Sequence, residues 1–472
     1  MSFVSWPFAI LFALVFAARL TIGRWKNEPE FIVVLIAAGA IFYGWFVPAY
    51  LLILLASTTV DYFAARLIAA VPMEQRVRRR TILTASLGTN LGLLGFFKYG
   101  NLAARAASEI ARALGIPFTV GPLDVVLPIG ISFYTFEAMS YTIDVYRGVI
   151  VPERSFAKFF LFISFFPHLV AGPIVRAGQF LPQIPRPRRL RAAALYEGVW
   201  LITTGYFLKT VCADNLAAYV NEHWHEAYDP GAGASMAWSL TLMFSGQIFA
   251  DFAGYSNIAR GLAYLLGYRL PVNFNAPYIA GSFRNFWERW HITLSRWLRD
   301  YLYLPLGGNR ISPRRTYLNL LVVMLLGGLW HGAALTFVVW GGLHGCALAL
   351  ERALGFHRDN GRIGLMRRVA WCVTVQVVVL IAWVFFRSDT LAHAVQFVRT
   401  LFSPRMQLLP SWAYAAAVFL LPIAVLHVWT LVEEREWLPP ITMPVRAAIA
   451  TAMMWAIVML PGRTSAFIYF QF

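Results

Sequence analysis

Two histidines in apolar surroundings are the residues best placed to do chemistry. His331 stands in GGLWHGAALTFVVWGGLHG (327–345), inside a stretch, Thr316–Leu350, that carries no formal charge. An ionisable side chain at membrane depth is costly, so it is read first as functional. A neutral imidazole can take a proton from a hydroxyl near neutral pH, and a desolvated site keeps it neutral. The other reading of His331 is a histidine that hydrogen-bonds between helices. His291 lies in FRNFWERWHITLSRWLRDYLY (283–303), four residues after Trp287 and next to Trp290. An imidazole among indoles is expected to point inward. Arg289, Arg296 and Arg299 punctuate the same segment, and a guanidinium fork suits phosphate oxygens. The plainer reading is an interfacial helix anchored by Trp and Arg. His344 reads as a packing or hydrogen-bonding residue, and His168 as a cap. No nucleophile elbow, phosphate loop or metal-ligand spacing accompanies these residues. The chemistry supported is a buried base with a basic approach and no metal.

The elements that must hold these histidines are membrane helices. Phe31–Val60, Val369–Phe386 and Met406–Val432 are also free of charge, and a span needs about 20 mostly apolar residues. Alternation with period two is absent, so these are helices. Expected helices run from the N-terminus to Arg19, as two between Phe31 and Val60 broken near Pro48, and over about 82–99 and 125–144. Others cover about 195–213, 236–258, 316–330 and 333–350, with three more to the end. The turn after His331 is expected inside the membrane, because the helix before it has only about 15 residues at 1.5 Å each. Phe156–Arg176 has basic residues on both flanks and Phe-Phe-Pro-His-Leu-Val-Ala-Gly-Pro between them, which suggests a re-entrant or broken helix. Phe283–Tyr303 repeats its apolar positions every three to four residues, predicting one amphipathic helix.

Composition agrees. Apolar residues are 59% and charged residues 13% of 472, outside the range of soluble domains. The net charge of +17 would suggest nucleic acid in a soluble protein. Here the arginines cluster in short loops between apolar runs, the positive-inside pattern, and no nucleic acid is expected. Arg24, Lys26, Arg76–Arg80, Arg186–Arg191, Arg260–Arg315 and Arg352–Arg368 mark the cytoplasmic side on this reading. The loop holding Glu222, Glu226 and Asp229 faces out, and the acidic Glu433–Glu436 loop falls on the cytoplasmic side by parity. Cys212, Cys346 and Cys372 read as buried small hydrophobes. No internal repeat is evident. The expectation is one integral-membrane domain over 1–472, with peripheral helices to about 120, a core over about 121–350 and C-terminal helices beyond.

Several stretches carry a family resemblance: LPIGISFYTFEAMSYTIDVYRG (127–148), FFPHLVAGPIVRAGQFLPQI (165–184), the run 251–310 ending YLPLGGNR, LWHGAALTFVVWGGLHG (329–345) and FIYFQF (467–472). In these the chain resembles the membrane-bound O-acyltransferase superfamily, in its bacterial alginate O-acetylation branch. The resemblance implies an all-α polytopic membrane protein, a ring of about 11–13 transmembrane helices with re-entrant segments and interfacial amphipathic helices. It implies acyl transfer from a thioester to a hydroxyl, with His331 as the membrane-embedded catalytic histidine and His291 at the second active-site position. Trp330, Arg289, Asp300 and Asn309 match the branch pattern, and Arg296 and Arg299 join them as candidate substrate-binding residues. Glu137 and His168 depart from that pattern.

The expected donor is acetyl-coenzyme A or an acyl-carrier thioester, a substrate rather than a bound cofactor. Expected partners are membrane lipid, a periplasmic SGNH-type acetyltransferase and proteins of polysaccharide synthesis or export, at a bacterial inner membrane. Two rivals remain: D-alanyl transfer from a carrier protein, and a polar-solute transporter.

Overall fold

The computed structural model describes residues 1–468 except 23–28, 122, 124–126, 357–363, 406 and 440. Arg24, Lys26, Arg358, Arg362 and the last four residues of the terminal hexapeptide therefore lie outside the described residues. All regular structure among the described residues is helical. Tyr50–Ala70, Met366–Arg387 and Ser411–Glu434 are long and apolar enough to cross a membrane, while Trp6–Thr21, Pro29–Gly44 and Met443–Met459 are apolar but shorter. Contacts within the chain group into two compact units. One comprises Met1–Val199 with Ala259–Pro271, the other Trp200–Ile258 with Val272–Phe472.

In the first unit the break near Pro48 separates helices Pro29–Gly44 and Tyr50–Ala70. The next helix is far longer than its apolar part, running Arg76–Ala113. Arginine and alanine beyond the apolar run are strong helix formers and carry it on. A buried carboxylate ties three helices here. Asp61 accepts from Ser86 (2.6 Å), Asn90 (2.8 Å) and Thr142 (2.9 Å), so the polar group has the partners burial demands. The segment 156–176 is broken as its Pro and Gly suggest, into Phe156–Ser164, Phe166–Leu169 and irregular backbone to Arg176. His168 does not cap it. Its ring is caged by Phe162, Phe165 and Phe180, and its Nδ1 lies 3.0 Å from Glu137. Glu137 also accepts from the Val175 backbone N–H at 2.7 Å, so one carboxylate anchors the irregular strand and the histidine together. The two departures from the family pattern are thus each other's partners.

In the second unit the expected 195–213 helix gives way at Phe207 to a π-helical turn, Phe207–Ala213, followed by helix Asp214–His223. The wider turn accompanies buried Lys209, which sits 2.7 Å from Asp214 and 2.9 Å from Asp251. Pro313–His331 and Leu335–Ala353 form a tight helical hairpin. Gly328 and Gly341 permit it, since a Cβ on either would run into backbone of the facing helix. The first of these helices starts earlier than its apolar run because Ser312 caps it, accepting from Arg315 N–H at 3.2 Å, with Pro313 at the first position. Among the described residues four helices rather than three follow. The addition is the short amphipathic Leu391–Leu401, whose alternating faces hide it from a search for apolar runs. Cys212 is buried and Cys372 half-buried, but Cys346 is exposed on the outward face of Leu335–Ala353, which corrects its reading as a core residue.

Candidate active site

The segment 283–303 is not one helix. It forms Phe283–Arg289, Ile292–Leu298 and a π-helical turn Arg299–Tyr303. The break falls at Trp290, which is extended, and His291, which takes the left-handed region at φ 40°. Few residues with a Cβ adopt that conformation, and it marks local strain at a site the surroundings must hold. Those surroundings are visible. Asn275 N–H donates to Arg289 O (3.0 Å) and Ile292 N–H to Asn273 O (2.9 Å), so backbone at 273–275 replaces helical bonds lost at the break. The Trp290 indole fills the gap, against Phe274, Phe286 and Trp383. At the start of the segment, Ser282 accepts from Asn285 N–H, and buried Glu351 accepts from the N–H groups of Phe283 (2.5 Å) and Arg284 (3.1 Å). A serine and a carboxylate together satisfy the helix N-terminus.

Asn273 decides the tautomer of His291. Its Oδ1 accepts from the Thr293 backbone N–H (3.2 Å) and the Thr293 hydroxyl (2.8 Å), and its Nδ2 donates to Ser256 Oγ (3.3 Å). That oxygen also faces His291 Nδ1 at 3.2 Å. An acceptor oxygen there requires the proton on Nδ1, so the neutral ring carries its lone pair on Nε2. The ring is fully buried, with Phe252 edge-on at 4.7 Å and Trp330 at 6.2 Å.

His331 is the last residue of its helix and 5% exposed. Trp330 and Trp340 lie at 5.0 Å and Phe386 at 5.3 Å from its ring, each edge to face. Trp330 thus stands between the two histidines. Trp340 leads elsewhere: it meets His344 at 4.9 Å and Trp287 at 5.7 Å. His344, read from sequence as a packing or hydrogen-bonding residue, is fully buried and packs flat on Phe286 at 5.9 Å.

Trp287 lines a cavity of about 680 Å³, with Arg284, Arg296, Arg299, Arg352 and Asn309 around it. Three of the sequence candidates, Arg296, Arg299 and Asn309, are brought together there. Arg299 pairs with Asp300 at 2.7 Å and Arg284 with Glu288 at 2.9 Å. Arg289 is not part of this basin. It forms a two-pronged ion pair with Glu434 (2.6 and 2.9 Å) and also donates to Asn275 O. Glu434, the last residue of helix Ser411–Glu434, therefore meets the basic segment directly. Reading the sequence alone passed over Asn273 and Glu351. Asn273 had one signal, an amide in the aromatic stretch PVNFNAP; Glu351 had none.

The chemistry of this arrangement is an imidazole walled by aromatic rings, a second imidazole with a fixed tautomer, and an arginine-lined basin one indole pair away. The profile of the membrane-bound O-acyltransferase family matches residues 149–392, which include both histidines. The chain is 39% identical over 406 residues to "Probable alginate O-acetylase AlgI" of Pseudomonas aeruginosa, covering 85% of this chain and 75% of that protein. It is 34% identical over 391 residues to the peptidoglycan O-acetyltransferase of Helicobacter pylori, covering 77% and 72%. The teichoic acid D-alanyltransferase of Bacillus subtilis is more distant, 26% identical over 276 residues, covering 56% and 68%. The chain belongs to the membrane-bound O-acyltransferase family and is an O-acyltransferase.

Proposed function

We propose that the protein moves an acetyl group from a cytoplasmic thioester across a bacterial inner membrane to a hydroxyl, for O-acetylation of an exported or envelope polysaccharide, with His331 as general base. The contact series Trp287–Trp340–His331 is the observation that carries this reading, because it sets the imidazole two packed indoles from the arginine-lined basin. Acetyl-coenzyme A is the donor. Arg296 and Arg299, with Arg284 and Arg352, hold its phosphates through charge-assisted hydrogen bonds. On this reading the packed Trp287–Trp340 pair swings aside to let the thioester end reach His331.

His331 takes the proton of the acceptor hydroxyl as its oxygen attacks the thioester carbonyl. The tetrahedral intermediate collapses to an ester, and the departing thiolate takes the proton back from the imidazolium to leave as a thiol. The reacting hydroxyl has one proton and gives it to His331, so His291 accepts at Nε2 from a neighbouring O–H or N–H of the acceptor and orients it that way. With its proton on Nδ1, the neutral ring has no Nε2–H to offer a developing oxyanion, so orientation is the role that fits. A periplasmic SGNH-type partner then passes the acetyl group to the polymer, alongside proteins of its synthesis or export.

The names of the two acetylating relatives support acetyl over other acyl groups. D-alanyl transfer from an acidic carrier protein is the second reading, favoured by the more distant D-alanyltransferase relative and by the basic basin. The test is thiol release by the purified full-length protein, supplied with acetyl-coenzyme A and a hydroxyl acceptor, an oligosaccharide in one arm and an SGNH-type partner protein in the other. Acceptor-dependent thiol is the expected result. Thiol release only with a D-alanyl carrier protein moves the assignment to the second reading. Solute flux into proteoliposomes without thioester use overturns acyl transfer altogether.

A further inference from the structure

A second arginine-lined cavity lies in the unit of Met1–Val199 and Ala259–Pro271, on residues that the acyl-transfer reading does not use. It encloses about 520 Å³, lined by Arg188, Arg189, Arg191 and Arg269 with Glu197 and the first turn of helix Ala192–Tyr206. Glu197 can offset at most one of the four guanidinium charges. Ala193 and Ala194 also line it, so the start of that helix borders the hollow, although the Ala194 N–H is already given to Arg191 O at 2.9 Å. What the helix start adds is its positive dipole end, which favours an anion.

The frame of this cavity is built rather than incidental. Arg188 N–H donates to Gly267 O at 2.9 Å, and buried Arg19 donates to Arg188 O at 2.9 Å. Gln183 closes the other side, donating to Arg269 O (3.1 Å) and accepting from Arg269 N–H (2.8 Å). Gly267 sits at φ 92°, and a Cβ there would meet Arg188 O at 2.8 Å, so only glycine allows the two arms to close. Two backbone segments are thus pinned together, and exposed arginines project from both around one hollow.

We propose that this cavity binds a phosphate group, that of the headgroup of an acidic phospholipid. Planar guanidinium groups on several sides of a hollow match phosphate oxygens better than they match a carboxylate. The sequence puts Arg186–Arg191 on the basic, cytoplasmic flank of the membrane, where anionic headgroups are at hand. A soluble phosphate compound offers the same chemistry, so the test separates the two.

The experiment is native mass spectrometry of the full-length protein in detergent, with phosphatidylglycerol, phosphatidylcholine or inorganic pyrophosphate as the probe. Wild type is expected to retain phosphatidylglycerol over phosphatidylcholine. Replacing Arg188, Arg191 and Arg269 together by glutamine is expected to weaken that binding by about 100-fold, at the usual contribution of basic residues near anionic lipid. Arg105→Gln with Arg112→Gln, which removes two exposed arginines of helix Arg76–Ala113, should leave it unchanged. The matching lysine triple variant should recover part of the affinity and guards against a folding defect. Equal phosphatidylglycerol retention by wild type and the glutamine triple variant overturns the site. Loss of retention in both the triple and the Arg105/Arg112 variants reduces it to general surface charge and overturns it too. Saturable pyrophosphate binding without phosphatidylglycerol preference overturns the lipid assignment.

Discussion

Two buried histidines lie at two irregular points of the chain, and they differ in what faces them. His168, in the broken segment of the first unit, is caged by phenylalanines and set 3.0 Å from the Glu137 carboxylate. His331, at the end of its helix in the second unit, faces Trp330, Trp340 and Phe386. Both are nearly closed to solvent. A carboxylate beside an imidazole makes a polar pair whose energy goes into holding irregular backbone, here through the same Glu137 oxygen that accepts from Val175. Around His331 the printed contacts are aromatic rings set edge to face, which fix where the imidazole stands. Burial alone therefore does not mark the base; the surroundings do.

That contrast can be broken from either side. His331→Ala should lower acyl transfer by about 10²- to 10⁴-fold, the range of a lost general base, while the thermal midpoint stays near that of wild type. Glu137→Ala should do the reverse. Removing one member of a buried pair costs roughly 3–5 kcal/mol, read as a lowered unfolding midpoint, with turnover per folded molecule kept. If Glu137→Ala instead abolished turnover in well-folded protein, the first unit would hold chemistry that the contrast denies it.

Smaller effects sharpen the picture around His291. Asn273→Asp puts a carboxylate where an amide oxygen now stands. A negative neighbour favours the protonated imidazole, so Nε2 loses its lone pair over a wider pH range. Transfer should fall near neutral pH and recover as pH rises, shifting the acidic limb of the pH–rate profile upward. An unshifted profile would remove Asn273 from control of that ring. Arg296→Gln with Arg299→Gln should raise KM for the donor about tenfold with kcat little changed, as expected for lost charge-assisted bonds to phosphate. Arg289→Gln makes the comparison, since Arg289 is spent on Glu434. It should leave donor KM alone.

What the sequence could reveal follows from range. Charge-free runs show the membrane helices directly, and the glycines around His331 announce the tight hairpin. The break at Trp290–His291 is silent because Phe283, Trp287, Trp290 and Leu294 keep helical spacing across it. What breaks the helix is backbone at 273–275, paired through contacts that local periodicity does not contain. The same holds for Glu137 with His168 and for Arg289 with Glu434, which is 145 residues away. Arg289, Arg296 and Arg299 looked alike along the segment. Folding divides them: Arg296 and Arg299 line the basin, Arg299 beside its neighbour Asp300, while Arg289 is drawn away to Glu434.

The central claim is that His331 takes the proton in the chemical step and does not merely shape the pocket. A single-turnover measurement separates the two. Donor is bound first to wild type and to His331→Ala, its affinity is measured, and thiol release is followed after acceptor is added. The account predicts equal donor affinity and a release rate at least about 10²-fold slower in the variant. Release at the wild-type rate, with donor bound equally well, would contradict it.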